Sequence, residues 1–219
     1  MAAAEHRALD FRERMRGHVA FRDLDDLTDV NVDRTGWTRL EMRLKMHVPD
    51  VTRFWAEPDH RGESTGTIIC PGLGGELEVH AGHFHLLSGA RGPGHQHMTY
   101  LMQFSDRLGR PVTLTGYKEL IAGGVDPWEE TTLLLTQLHR GWLDVAADDD
   151  DDWDRDVIAT GLLRIRLTDF LRQLTTFRPG PHDSVTGGIL AMTTFGPSFI
   201  GRLGRIYLSG RRADTGPAA

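Results

Sequence analysis

Four residues that fall in line with apolar strand faces could do proton chemistry: Glu13, Tyr100, Lys118 and Glu130. A carboxylate, an ammonium or a phenol taken out of water has a displaced pKa, and such groups act as general acids and bases near neutral pH. In this pattern Tyr100 and Lys118 would donate to a ligand oxygen, while Glu13 or Glu130 would accept a proton. A second reading needs no ligand. Lys118 would pair with Glu130, or with Asp126 just before it, and that buried pair would fix strand register. Around these groups the same parity places Met15, Met42, Met46, Phe84, Met98 and Met102, with Trp128 plugging one end of the structure.

Other chemistry is less well supported by spacing. Among eleven histidines, His83 with His85 and His95 with His97 form i,i+2 pairs that could hold an ion from one strand. No third ligand with ordered spacing follows, there is no His-Glu-x-x-His, and no metal site is expected. Cys70 is the sole cysteine. It forms no internal disulfide, fits a reducing compartment, and reads as an inert buried thiol. Gly72 to Gly75 lacks the Lys-Ser/Thr of a P-loop and the βαβ context of a dinucleotide site, so it reads as a loop. Consecutive carboxylates repel, and the run Asp148 to Asp152, extended by Asp154 and Asp156, reads as a solvated loop rather than a cation site.

The elements that would position these residues follow from period-2 alternation. From Thr38 to Val48 one face carries Leu40, Met42, Leu44, Met46 and Val48, and the other carries Arg39, Glu41, Arg43, Lys45 and His47. That is a half-buried antiparallel strand. Met98 to Phe104, a turn at Asp106 to Arg110, and Pro111 to Ile121 read as a hairpin. Further strands are expected at Met15 to Phe21, Gly66 to Cys70, Leu77 to Leu87, Glu130 to Leu138 and Ile158 to Leu167. Asp50 is an expected N-cap for a short helix at Val51 to Trp55. Spacings of three and four predict a C-terminal helical segment over about 168–208, with a frayed tail at 210–219.

The resulting expectation is a mostly β fold: one domain over 1–219, an antiparallel barrel of about eight strands, lipocalin/calycin-like, with C-terminal helices. Five inward methionines and several inward glycines predict a soft, roomy lumen, since Met is adaptable and Gly removes side-chain volume. Glu13 is expected at a strand entrance.

The 219 residues are 39% apolar and 26% charged, and the net charge of −6 opposes a nucleic-acid partner. No apolar run approaches the ~20 residues of a membrane span, and the N-terminus lacks a signal-peptide apolar region. A cytoplasmic location is expected, and an oligomer is compatible with the pattern.

Several motifs carry a resemblance. They are Phe11-x-Glu13-x-Met15-x-Gly17, Asp50…Phe54…His60, Gly82-x-Phe84-x-Leu86-Leu87, Met98-x-Tyr100, the Phe104…Gly109 turn and Leu114-x-Gly116-x-Lys118. Asp126-x-Trp128-x-x-Thr131-Thr132-Leu133, Gly161-x-Leu163 and Asp169-Phe170-x-x-Gln173-Leu174-Thr175 continue the set. On these motifs the chain resembles the accessory, non-flavin domain of bacterial cholesterol-oxidase-like GMC oxidoreductases. The resemblance implies a setting of sterol- or polyketide-like apolar molecules and assigns no catalytic set. The flavin belongs to the partner domain there, so no cofactor is carried over. In architecture the chain is also similar to stand-alone β-barrel cyclases of polyketide pathways, such as spiroketal-forming enzymes. The expected function is a cofactor-free cyclase or isomerase acting on a flexible, apolar, oxygenated substrate in the lumen. The alternative is a non-catalytic hydrophobic-ligand-binding or accessory module beside a flavin oxidoreductase.

Overall fold

The computed structural model describes residues 8–22, 36–88, 95–121, 133–143, 156–164, 178–179 and 198. Eight strands carry the fold: β1 (Leu9–Phe21), β2 (Trp37–Val48), β3 (Arg61–Cys70), β4 (Gly75–Ser88), β5 (His95–Ser105), β6 (Pro111–Ile121), β7 (Leu133–Arg140) and β8 (Val157–Arg164). Each pairs antiparallel with its neighbour in sequence, and β8 pairs back onto β1, so the sheet closes into an up-and-down barrel. Closure gives each of these strands a partner on both sides. A two-residue strand β9 (Arg178–Pro179) adds to the start of β1 at Leu9 and Asp10.

Alternation explains the barrel wall. On β2 the inward set Leu40, Met42, Leu44, Met46 and Val48 is buried. The outward set is charged: Arg14, Arg16, Arg39 and Arg43 all surround the carboxylate of Glu41, with Arg14 Nε and Arg43 Nε each donating to its Oε1 at 2.7 Å. Lys45 Nζ stands 2.9 Å from Asp10 in the same face.

The turns use their expected chemistry. At the hairpin tip Asp106 Oδ1 accepts from Leu108 N at 2.9 Å and Arg110 N at 2.8 Å, and Gly109 takes φ 78°. Helix α1 (Val51–Ala56) starts where Asp50 Oδ1 accepts from Thr52 N and Arg53 N at 2.8 and 2.9 Å. It lays Phe54 and Trp55 over one end of the barrel. There Phe54 meets Phe84 with ring centroids 6.4 Å apart, and Phe11 meets Phe84 edge-on at 6.0 Å. Aromatic edge contacts of this kind add to simple area burial.

Three expectations change. Strand β1 begins at Leu9, so Glu13 sits inside the strand rather than at its entrance. The charged residues of Asp10 to Arg16 mask an alternation that Leu9, Phe11, Glu13 and Met15 in fact keep. Strand β3 begins at Arg61 and keeps one parity throughout, whereas opposite Glu63 to Gly66 an extra residue on β4 moves its inward face from Leu77 and Val79 to Gly82 and Phe84. The inward glycines do not open space. A Cβ on Gly62 would lie 2.2 Å from Phe84 Cζ, one on Gly82 2.7 Å from Met102 Sδ, and one on Gly116 2.8 Å from Leu134 Cδ2. Each glycine is thus the socket for a larger neighbour, and the interior there is close-packed. The C-terminal helical segment expected over 168–208 lies outside the described residues, apart from β9 and Ser198.

Candidate functional site

Three of the four expected polar groups meet inside the barrel. Glu13 on β1 and Tyr100 on β5 stand on strands four places apart in the ring of eight, which is diametrically opposite. The Tyr100 hydroxyl spans the interior and donates to the Glu13 carboxylate, 3.2 Å from both Oε1 and Oε2. Lys118 enters from β6, next to β5. Its Nζ lies 3.9 Å from Glu13 Oε1, beyond hydrogen-bond reach. The same ammonium stands 5.4 Å from the centroid of the Tyr100 ring, within the range of a cation–π contact. All three side chains are buried, with Glu13 6%, Tyr100 2% and Lys118 3% exposed.

Local sequence accounts for this placement. Met98, Tyr100, Met102 and Phe104 share the inward face of β5, and Leu114, Gly116 and Lys118 share that of β6. Tyr100 lies directly opposite Gly116, and Met98 opposite Lys118, so no side chain from β6 blocks the tyrosine. Gln96 continues the inward parity of β5 toward the α1 end. Its buried Oε1 finds no hydrogen-bond donor among the described residues.

Burial sets the electrostatics. Removal from water pushes the Glu13 carboxyl above its ordinary range, an effect that Lys118 and the Tyr100 hydroxyl only partly offset. The same desolvation pulls the Lys118 amine below the ordinary lysine value, with Glu13 opposing it. Tyr100 is held well above the ordinary phenol value by burial and by the adjacent carboxylate. Acid and amine are therefore both drawn toward their neutral forms, while the phenol stays a donor. A carboxyl, a phenol and an amine brought together in an apolar interior are groups able to pass a proton to and from an oxygen atom.

Glu130 and Trp128 lie outside the described residues. Asp126 lies outside them too, and among those described the carboxylate facing Lys118 is Glu13. Of the expected lining, Met15, Met42, Met46, Phe84, Met98 and Met102 are all buried in the interior. Met102 receives a hydrogen bond from Ser64 Oγ at 3.1 Å. Sequence parity alone missed Gln96, although counting two residues back from Met98 reaches it. It also missed His60, a buried residue at φ 42° whose Nδ1–H donates to the Leu87 carbonyl at 2.9 Å beneath Phe54 and Trp55.

The remaining candidates resolve simply. His83 and His85 point outward, and His85 Nδ1 bonds the Asp59 carbonyl at 2.9 Å. Among the described residues no group of three or more His, Cys, Asp or Glu could hold a metal ion. Burial pushes the Cys70 thiol up to about 12, against weak opposition from the Leu73 and Gly72 amides, so it stays protonated and unreactive. No described helix is long and apolar enough to cross a membrane. Compared with protein-family models, with curated proteins and with solved structures, the chain matches none.

Proposed function

We propose that this chain is a cofactor-free cyclase or isomerase that moves protons on a flexible, apolar, oxygenated substrate held within the barrel. One observation carries the proposal: the Glu13–Tyr100 hydrogen bond drawn across the chamber with Lys118 beside it. Ring closure or isomerisation needs a base to take a proton from a carbon or hydroxyl and an acid to return one to an oxygen. Glu13 supplies the base and Tyr100 or Lys118 the donor, with net atoms and electrons unchanged. Apolar walls of Met15, Met42, Met98 and Phe84 exclude water and favour a folded conformer of a polyketide- or sterol-like chain. The up-and-down strand order supports a lipocalin/calycin-like barrel. Charged outer walls on β1 and β2, the reverse of a lipid-facing band, support a cytoplasmic location.

The test is turnover at constant mass. Wild type is incubated with a panel of flexible hydroxy-ketones, and products are separated chromatographically. New isomers of unchanged mass are expected, formed on the order of 10²-fold more slowly by Glu13→Gln and Tyr100→Phe. Isomer formation that is unchanged in the triple Glu13→Gln, Tyr100→Phe, Lys118→Met variant would overturn the assignment. So would its absence for every panel member.

The filled glycine sites favour a second reading, a non-catalytic binding or accessory module beside a flavin oxidoreductase. On that reading ligand affinity survives Lys118→Met and no bound molecule turns over.

A further inference from the structure

Of the chain's 25 basic residues only Lys45 and Lys118 are lysines. Everywhere else arginine supplies the positive charge. The two lysines stand in opposite settings. Lys45 is half-exposed on the outer wall and 2.9 Å from Asp10. Lys118 is 3% exposed inside the barrel, and its nearest carboxylate oxygen is 3.9 Å away. Arginine would suit a fixed buried ion pair better, because its planar fork bonds a carboxylate in two places and keeps its charge. A lysine can do what arginine cannot: lose its proton and become a nucleophile.

From this arrangement we infer that Lys118 is an imine-forming residue, its Nζ condensing with the carbonyl carbon of an aldehyde or ketone ligand. The inference rests on the proposed proton-transfer reading and deepens it by naming the functional group that the chamber takes. Three features of the site support it. Lys118 Nζ is not held in a hydrogen bond with Glu13, so its lone pair is not tied to a carboxyl proton. Glu13 and Tyr100 stand next to it as a proton acceptor and a donor. Gln96, inward on β5 just beyond Met98, offers a buried amide oxygen with no donor among the described residues, fit for a ligand hydroxyl.

The chemistry balances without an oxidant or reductant. The neutral amine attacks the carbonyl carbon, forming the C–N bond as the C=O π pair moves to oxygen. That oxygen takes a proton from the Glu13 carboxyl, and the new ammonium returns one to the Glu13 carboxylate. The C–O bond of the carbinolamine then breaks as the Glu13 carboxyl gives its proton to the departing hydroxyl, water leaves, and an iminium remains on Nζ beside the Glu13 carboxylate. Burial helps at the first step, because it pulls the amine toward its neutral form. Among the described residues the titratable groups facing Lys118 are Glu13 from β1, which carries the protons of this cycle, and Tyr100 from β5, whose hydroxyl is hydrogen-bonded to Glu13.

Two lysines make the test direct. The full chain is incubated with hexanal and sodium cyanoborohydride, which reduces any imine to a stable secondary amine, and the adducts are mapped by peptide mass spectrometry. Lys118 is expected to be labelled on the order of tenfold faster than Lys45, since the neutral amine is the reactive form. Its advantage should shrink as pH is raised toward the titration range of exposed lysines, where Lys45 also loses its proton. Glu13→Gln should slow trapping at Lys118 and leave that at Lys45 unchanged, with far-UV circular dichroism confirming the fold. Labelling confined to Lys45 and the N-terminus would overturn the inference. The same preparation is also assayed on the hydroxy-ketone panel, so the two failures separate. Isomerisation with no adduct at Lys118 retires the imine and keeps acid–base catalysis; loss of both retires the proposed function itself.

Discussion

Glu13 and Lys118, opposite in charge when both are ionised, stand 3.9 Å apart buried inside the barrel, and what they do to stability depends on which cost is larger. Each buried ion loses hydration worth several kcal/mol, and attraction at this separation, without a direct hydrogen bond, recovers only part of it. Replacing both, as Glu13→Gln with Lys118→Met, is therefore expected to leave stability unchanged or raise it by about 1–4 kcal/mol at neutral pH. Glu13→Gln alone leaves a cation without its carboxylate and should cost about 3–5 kcal/mol. The pH dependence has a definite sign. Glu13 titrates above its ordinary 4.5 in the folded chain. Above 4.5 the folded state therefore holds a proton the unfolded chain has lost, and stability falls as pH rises through that window. Lys118 titrates below its ordinary 10.5. Between its folded value and 10.5 the unfolded chain holds the extra proton, so stability rises with pH there. Urea unfolding of wild type and the double variant across pH 4 to 11 should show wild type losing ground at mid-range and regaining it at both ends. A difference between them that does not vary with pH would mean that neither group is desolvated in the folded chain.

At the scale of elements, glycines decide how closely strands and side chains approach. Gly17 on β1 faces β8 so tightly that a Cβ would stand 1.8 Å from the Leu162 backbone oxygen, whereas at Gly116 the obstacle is the end of the Leu134 side chain at 2.8 Å. Backbone in a closed ladder cannot move alone, but a leucine can change rotamer. Gly17→Ala should thus destabilise by more than the about 1–3 kcal/mol usual for overpacking, and Gly116→Ala by no more than that range. Thermal unfolding of the two variants checks the order, and equal losses would show that the β1–β8 approach is not the limiting fit. The same positions show how far the sequence could be read. Alternation along β2, β5 and β6 is uninterrupted, so the inward faces and the placing of Tyr100 and Lys118 were legible. The bulges of β4, one opposite Glu63 to Gly66 and one between His85 and Ser88, leave no such mark, because an extra residue changes register without changing residue type. Whether an inward glycine is a void or a socket depends on the rotamer of its partner on the adjacent strand, which Phe84 opposite Gly62 and Met102 opposite Gly82 settle and local pattern does not. Lys118's neighbour was hidden for a related reason: parity gives the face of a strand, not which side chain reaches over from the opposite wall.

For the whole molecule, closure itself is the non-local event. Strands β1 through β8 pair in sequence order, each with the next, until β8 must find β1. Every earlier pairing joins strands that follow one another in the chain, but the last joins the two ends of the barrel and carries the largest loop-closure entropy. Among the described residues that seam spans six residue pairs, Arg16 with Arg164 through Phe21 with Ala159, against twelve between β1 and β2. It also completes the chamber, because Glu13 on β1 comes to face Tyr100 on β5 only when the sheet has curled through half the ring. The seam should accordingly be unformed in the folding transition state, and the β5–β6 hairpin, with its Asp106 turn, largely formed. Val19→Ala, at a seam residue that lies opposite Gly161, is expected to accelerate unfolding with little change in folding rate. Leu114→Ala, inside the hairpin, should slow folding by most of its equilibrium loss of about 2–5 kcal/mol. Chevron analysis of both variants in urea decides the matter: a folding rate that drops as steeply for Val19→Ala as for Leu114→Ala would place closure before the rate-limiting step. In that case the interior polar cluster would assemble early, as part of what drives the sheet to curl, rather than being captured when the last two strands meet.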